Sequence, residues 1–240
     1  MPAGSAKLSR KIFRAPRKMV PRYTGLLITE LAMILIFPFI ADTPRQAEVY
    51  RLLAVLVFAA ALNAFLGRGR LTVIAFALAT PCMFIHVANV FGYLQRLSML
   101  SLLLGIAFLT YVTSIFIIGI ISDPTVTTDT LAGAVSAYLL IGITYGLAYG
   151  LIEQRHPGSF RDTVQPGKVF APSEFIFFSF VTLTTIGYGD IVPWGPHARA
   201  LAILEGVTGI MYPAVLVARL VGLKGIVRQN PSQAGGDHNA

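Results

Sequence analysis

With 240 residues, 55% of them hydrophobic and 12% charged, the chain falls outside the composition of a soluble globular domain, and its long apolar blocks mark an integral membrane protein. The formal charge of +8 does not point to nucleic acid. The basic residues lie outside the apolar blocks, seven of them between Lys7 and Arg22, which suits a cytoplasmic flank and contact with anionic headgroups.

A membrane-crossing helix needs roughly 20 apolar residues, and the chain supplies six such runs and one shorter one. The first is expected over 23–41 and the second over 49–66, joined by the polar turn Asp42-Thr43-Pro44-Arg45-Gln46. The first run is too long for a signal-peptide core, and Phe39 spoils a small-residue cleavage site before Ala41. Gly67-Arg68-Gly69-Arg70 returns a basic loop to the cytoplasmic side. A third helix is expected over 71–93, carrying Cys82, the only cysteine, so there is no intrachain disulfide and no thiolate cluster. His86 and Asn89, one turn apart on it, mark either a polar site or a histidine bonded within the bundle. A fourth helix is expected over 97–121.

The polar break 122–130 offers Asp129 or Thr130 as a helix cap, and an outer helix is expected over 131–152. Its Gly142, Gly146 and Gly150 recur every four residues, a spacing that lets membrane helices approach closely or simply serves ordinary packing. A Pro- and Gly-rich external loop is expected over 153–171. Pro172-Ser173-Glu174 then opens an apolar run too short to span, with Ser173 as N-cap and Glu174 suited to the positive helix end. It reads as a re-entrant pore helix over 172–184. A final span is expected over 197–221, and Lys224 and Arg228 place its end in the cytoplasm.

Between the short helix and the last span stands Thr184-Thr185-Ile186-Gly187-Tyr188-Gly189-Asp190. Irregular backbone at membrane depth survives only within protein or beside a water-filled path. Stacked carbonyls can replace the hydration oxygens of an ion. Gly187 and Gly189 permit backbone angles closed to residues with a Cβ, and Thr185 offers a hydroxyl. A pore helix ending at Thr184 turns its negative end toward ions in the membrane centre.

This segment resembles the TVGYGD signature of potassium channels, with Ile186 in place of the commoner valine. The resemblance implies an all-α integral membrane fold of six transmembrane helices, with the pore helix and filter between the fifth and sixth. It implies that the carbonyls of Thr185, Ile186, Gly187 and Tyr188, with the Thr185 hydroxyl, coordinate permeating potassium, while Gly189 and Asp190 form the outer mouth. One loop per chain implies a homotetramer. No cofactor beyond the permeant ion is expected.

Six spans resemble voltage-gated channels in layout, yet 97–121 carries no charge, so the first four helices (23–121) are expected to form a voltage-insensitive domain beside the pore domain (131–221). In the last helix Gly209, with Gly206 and Pro213, matches the family's hinge position and implies either a moving hinge or a permanent bend with close packing. Glu205 either bonds Ser179 or Thr182 on the pore helix and tunes the filter, or is a neutral structural carboxyl; Val181 occupies the position where many relatives carry an acid. A nonselective cation channel and a non-conducting scaffold subunit are the alternatives. No paired carboxylates, HExxH motif, activated serine motif or phosphate-binding loop points to an enzyme. Both termini and the 222–240 tail are expected in the cytoplasm of a cell-membrane protein, any regulatory domain coming from another polypeptide.

Overall fold

The computed structural model describes residues 22–40, 46–66, 69–90, 93, 95–122 and 127–229. The basic residues from Lys7 to Lys18, the turn at 42–45, Gly67-Arg68, Asp123-Pro124 and the tail beyond Gln229 lie outside the described residues.

Among the described residues seven α-helices follow in order: α1 (Arg22–Ile40), α2 (Gln46–Phe65), α3 (Arg70–Val90), α4 (Ser98–Ser122), α5 (Thr128–Arg155), the short α6 (Pro172–Leu183) and α7 (Pro196–Gln229). A 3-10 turn at Gln95–Leu97 makes the tight connection into α4. Four of them, over Arg70–Asn89, Ser98–Ser122, Thr128–Arg155 and Pro196–Arg219, are long and apolar enough to cross a membrane. The apolar stretches of α1 and α2, Tyr23–Ile36 and Arg51–Phe65, are shorter. The protein is therefore a helical membrane protein.

Several local expectations are corrected. Thr127, not Asp129 or Thr130, caps α5: its hydroxyl accepts from the Thr130 amide at 3.1 Å. Asp129 instead accepts from the Tyr23 amide at 3.2 Å and holds the start of α1 against α5. The cap of α6 is Ala171, because Pro172 takes the first helical position, where its missing N–H costs nothing. Glu174 reaches back to the Ala171 amide at 2.6 Å, so Ser173 is left inside the first turn. The last helix runs on through Gln229, so 222–229 is helix where a tail was expected. The loop after α5 holds a strand, β1 (Phe160–Asp162), paired antiparallel with β2 (Ile191–Pro193), so the regular structure of the described residues is helical apart from this short ribbon.

Two cores hold the helices. The larger lies among α1 to α5, where Phe58 stacks on Phe108 at 4.9 Å, Phe65 on Phe116 at 5.7 Å, and Tyr23 meets Phe116 edge-on at 4.9 Å. The smaller gathers Tyr149, Phe160, Phe175, Phe178, Ile191 and Ala198 around α6. Outward-facing Ile28, Leu35, Val73, Phe84, Ile203 and Val217 are exposed, as hydrocarbon-facing side chains are.

The glycine row on α5 serves close approach. A Cβ on Gly146 would stand 2.9 Å from the Ile176 Cα, and one on Gly142 would stand 2.7 Å from the Phe180 ring, so α6 lies directly against the α5 backbone there. At Gly150 the nearest atom is 3.6 Å away, an ordinary contact. Gly146→Ala is expected to lower stability by about 1–3 kcal/mol through overpacking, whereas Gly150→Ala is expected to leave it nearly unchanged. Thermal unfolding of the two variants in the same detergent checks this.

Candidate functional site

Helix α6 ends at Leu183, and Thr184 takes the C-cap with its amide bonded to Phe180 O at 3.0 Å. The chain then turns back across the helix end. Thr185 N donates to Thr182 O at 3.0 Å, while Ile186 N and Gly187 N both donate to Val181 O, at 3.0 and 3.3 Å. The loop amides thus occupy the last helical carbonyls, which would otherwise stand unsatisfied.

With those amides turned inward, the backbone alternates in hand. Thr185, Gly187 and Gly189 have φ of 60°, 62° and 79°, while Ile186 and Tyr188 keep negative φ. Gly187 and Gly189 reach this region without steric cost. Thr185 is the one described residue other than glycine with positive φ, at a site where such strain ordinarily has a functional reason. That residue's backbone was not foreseen from sequence. Among the described residues, the carbonyls of Thr184, Thr185, Ile186, Gly187 and Tyr188 accept no hydrogen bond from protein. In the single chain the loop is exposed, Ile186 by 56% and Tyr188 by 68%.

The far end of the loop is anchored differently. Gly189 O accepts from the Thr163 hydroxyl at 2.8 Å and Asp190 O from the Thr163 amide at 2.8 Å, so Gly189 is separated from the unpaired carbonyls before it. The Asp190 carboxylate accepts from the Ile191 amide at 2.9 Å. Tyr188 stacks nearly parallel on Phe177, with ring centres 6.2 Å apart. Outside, Arg161 lies 3.6 Å over the Trp194 ring. Lys168 pairs with Glu174 and stands 3.8 Å from Asp162. Its bond to Glu174 raises the Lys168 ammonium above its ordinary range. The Gln165 amide, then that of Val164 and the Lys168 charge, hold the Asp162 carboxyl below the usual carboxylate value.

Behind the loop, Glu205 of α7 is fully buried against α5 and α6. It accepts from the Tyr149 hydroxyl at 2.5 Å and contacts the Ser179 hydroxyl, which also reaches Gly142 O at 2.6 Å. The serine has one proton and the carbonyl can only accept, so every polar atom here is paired when the carboxyl itself carries a proton toward Ser179. Of the two hydroxyls named from sequence, Ser179 meets Glu205, while Thr182 bonds Phe178 O at 2.8 Å. Tyr149 was missed, since nothing local in sequence pairs it with a residue 56 positions away.

Gly209 packs face to face with the end of α6: a Cβ there would overlap the Leu183 carbonyl, whose oxygen already accepts from Tyr138 at 3.2 Å. Gly206 faces open space, and Pro213 lies within the continuous helix α7. Close packing is thus present at Gly209. Glu30 was also missed; it is a buried carboxyl on α1 whose polar neighbour is the equally buried Ser136 of α5. Its one signal was a lone acid in an apolar run.

Residues 137–223 match the family described as Ion channel. The chain is 38% identical over 82 residues to the inward rectifier potassium channel Kirbac3.1 of Paramagnetospirillum magnetotacticum, covering 32% of this chain and 24% of that one. It is 34% identical over 85 residues to the two pore potassium channel c of Oryza sativa subsp. japonica, covering 35% and 17%. With Protein LctB of Bacillus caldotenax it shares 26% over 113 residues, covering 46% and 84%. The chain therefore spans a quarter or less of the length of the first two relatives. No solved structure gives a significant match.

Proposed function

We propose that this chain, whose residues 137–223 match the ion channel family and are similar to potassium channels, conducts potassium passively through a homotetrameric pore. The observation that carries this reading is the run of carbonyls from Thr184 to Tyr188 that no protein donor satisfies, on a backbone of alternating hand. Oxygens left bare at membrane depth require a partner, and a dehydrated monovalent cation on a shared axis supplies one without a fixed countercharge. Thr185, Ile186, Gly187 and Tyr188 would hold the ion, with the Thr185 hydroxyl as the innermost ligand. Gly189 and Asp190 would form the outer mouth.

A single chain exposes Ile186 and Tyr188, and three further copies around the axis would cover them. All of α1 to α4 would lie in the membrane as a peripheral unit, giving six spans with both termini cytoplasmic. Helix α4 contains no charged residue, so the field has nothing on it to move, and conductance is expected to vary weakly with voltage.

Full-length protein in liposomes is expected to pass potassium well ahead of sodium and to be blocked by barium. Equal flux of both cations, or none, would overturn the reading. A steep conductance–voltage relation in symmetric potassium would remove the voltage-insensitive part alone.

A further inference from the structure

A cavity of about 370 Å³ lies where the ends of five helices meet at the start of α6. Arg51 of α2, His86 and Asn89 of α3, Ser98 of α4, Glu153 of α5 and Phe175 of α6 all line it. A volume of that size is in the range of small-molecule sites, which are mostly apolar with a few converging polar groups.

Most of its polar groups are already engaged. Glu153 accepts from the Gly158 and Phe160 amides at 2.8 and 3.1 Å, and Ser98 accepts from Gln154 at 2.6 Å. His86 Nδ1 lies 3.2 Å from Cys82 O, which can only accept, so that nitrogen carries the proton. Two groups remain. The Arg51 guanidinium donates to the Asn89 main-chain carbonyl at 2.7 Å, and no carboxylate pairs with it among the described residues. The Asn89 side chain is 8% exposed, and its Oδ1 has no partner. Rotation of the amide by half a turn presents its NH₂ at the same place.

From this juxtaposition of an unmatched cation and an orphaned buried amide beside the apolar walls of Phe58, Leu147 and Phe175, we propose that the cavity binds an amphipathic anion. A carboxylate or phosphate head would bridge Arg51 and Asn89, and an alkyl tail would lie along the apolar walls. A cationic head is excluded by the guanidinium beside Asn89, and a neutral one would leave that charge unpaired, since Glu153, the one carboxylate on the wall among the described residues, is held by the Gly158 and Phe160 amides. The ligand would touch the first turn of α6 and so bear on the helix that positions the filter loop. Binding at this site is independent of whether the pore conducts.

The test uses the full-length protein in phosphatidylcholine nanodiscs, with Phe170→Trp as a reporter on the cavity wall. The probes are 12-bromododecanoate, 12-bromododecyl phosphate and 12-bromododecanol. At least one anion is expected to quench the reporter saturably at a concentration about tenfold below that needed for the alcohol, as a charge-assisted bond would give. The stronger of the two anions identifies the head as carboxylate or phosphate. Arg51→Gln is expected to abolish the preference and Arg51→Lys to retain much of it. Asn89→Asp, which places a competing anion beside Arg51, is expected to abolish it as well. Equal quenching by alcohol and anions, or an undiminished anion preference in Arg51→Gln or Asn89→Asp, would overturn the proposal.

Discussion

Replacing Glu205 by alanine is expected to cost about 2–5 kcal/mol of stability, the penalty for leaving buried hydrogen-bonding groups without partners. The Tyr149 hydroxyl would lose its acceptor, Ser179 would keep only Gly142 O, and a side-chain-sized void would open between α7 and α6. Because Ser179 stands one turn before the filter loop, the loss is also expected to weaken potassium selectivity. Glu205→Gln separates the two readings of this residue. An amide keeps the shape, accepts from Tyr149 and donates to Ser179, so stability is expected to hold within about 1 kcal/mol. Altered inactivation in that variant, recorded in planar bilayers, would assign the carboxyl a part in tuning the filter. Unchanged inactivation and selectivity would leave it purely structural.

Gly209→Ala is the other large expected effect. Its Cβ would overlap the Leu183 carbonyl, a backbone group that cannot rotate away, so α7 must shift from the end of α6 or the loop after Leu183 must move. A loss of about 3 kcal/mol is expected, at the upper end of ordinary overpacking, together with reduced potassium selectivity in liposome flux. Gly206→Ala, with open space around it, is expected to be tolerated or to gain up to about 1 kcal/mol from helix propensity. Its gating then bears on the hinge without the packing defect: a shifted open probability in Gly206→Ala supports bending there. A change confined to Gly209→Ala is what a close-packed, fixed contact predicts.

The irregular loop from Thr184 to Asp190 was legible in sequence because its signal is local: two glycines two apart, a short apolar run before them and a long one after. Helix positions were legible to within about three residues because apolar runs set them, except that α7 continues through Gln229, beyond its apolar part. What failed was decided at single atoms. Ser173 lost the cap of α6 because Pro172 occupies the first helical position and moves the boundary by two residues. Asp129 lost the cap of α5 because the first turn of α1 competes for its carboxylate. Glu205 could be placed on the right face, yet its main donor, Tyr149, comes from another helix, and no pattern along the chain encodes that meeting. The short ribbon was hidden for a similar reason. Phe160 and Pro193 pair across more than thirty residues, and three-residue strands leave too little alternation to read.

The double tie from Thr163 to Gly189 and Asp190 has a consequence for how this region of the chain divides into parts. The stretch after α5 clasps the end of the loop that follows α6, and the ribbon from Phe160 to Asp162 fixes where that clasp sits. The smallest transplantable unit is therefore neither the heptapeptide nor the heptapeptide with its helix. A graft of 172–193 into a foreign scaffold would arrive with the Gly189 and Asp190 carbonyls unclaimed, whereas a graft beginning at Glu153, whose carboxylate holds the Gly158 and Phe160 amides, would carry its own fastening.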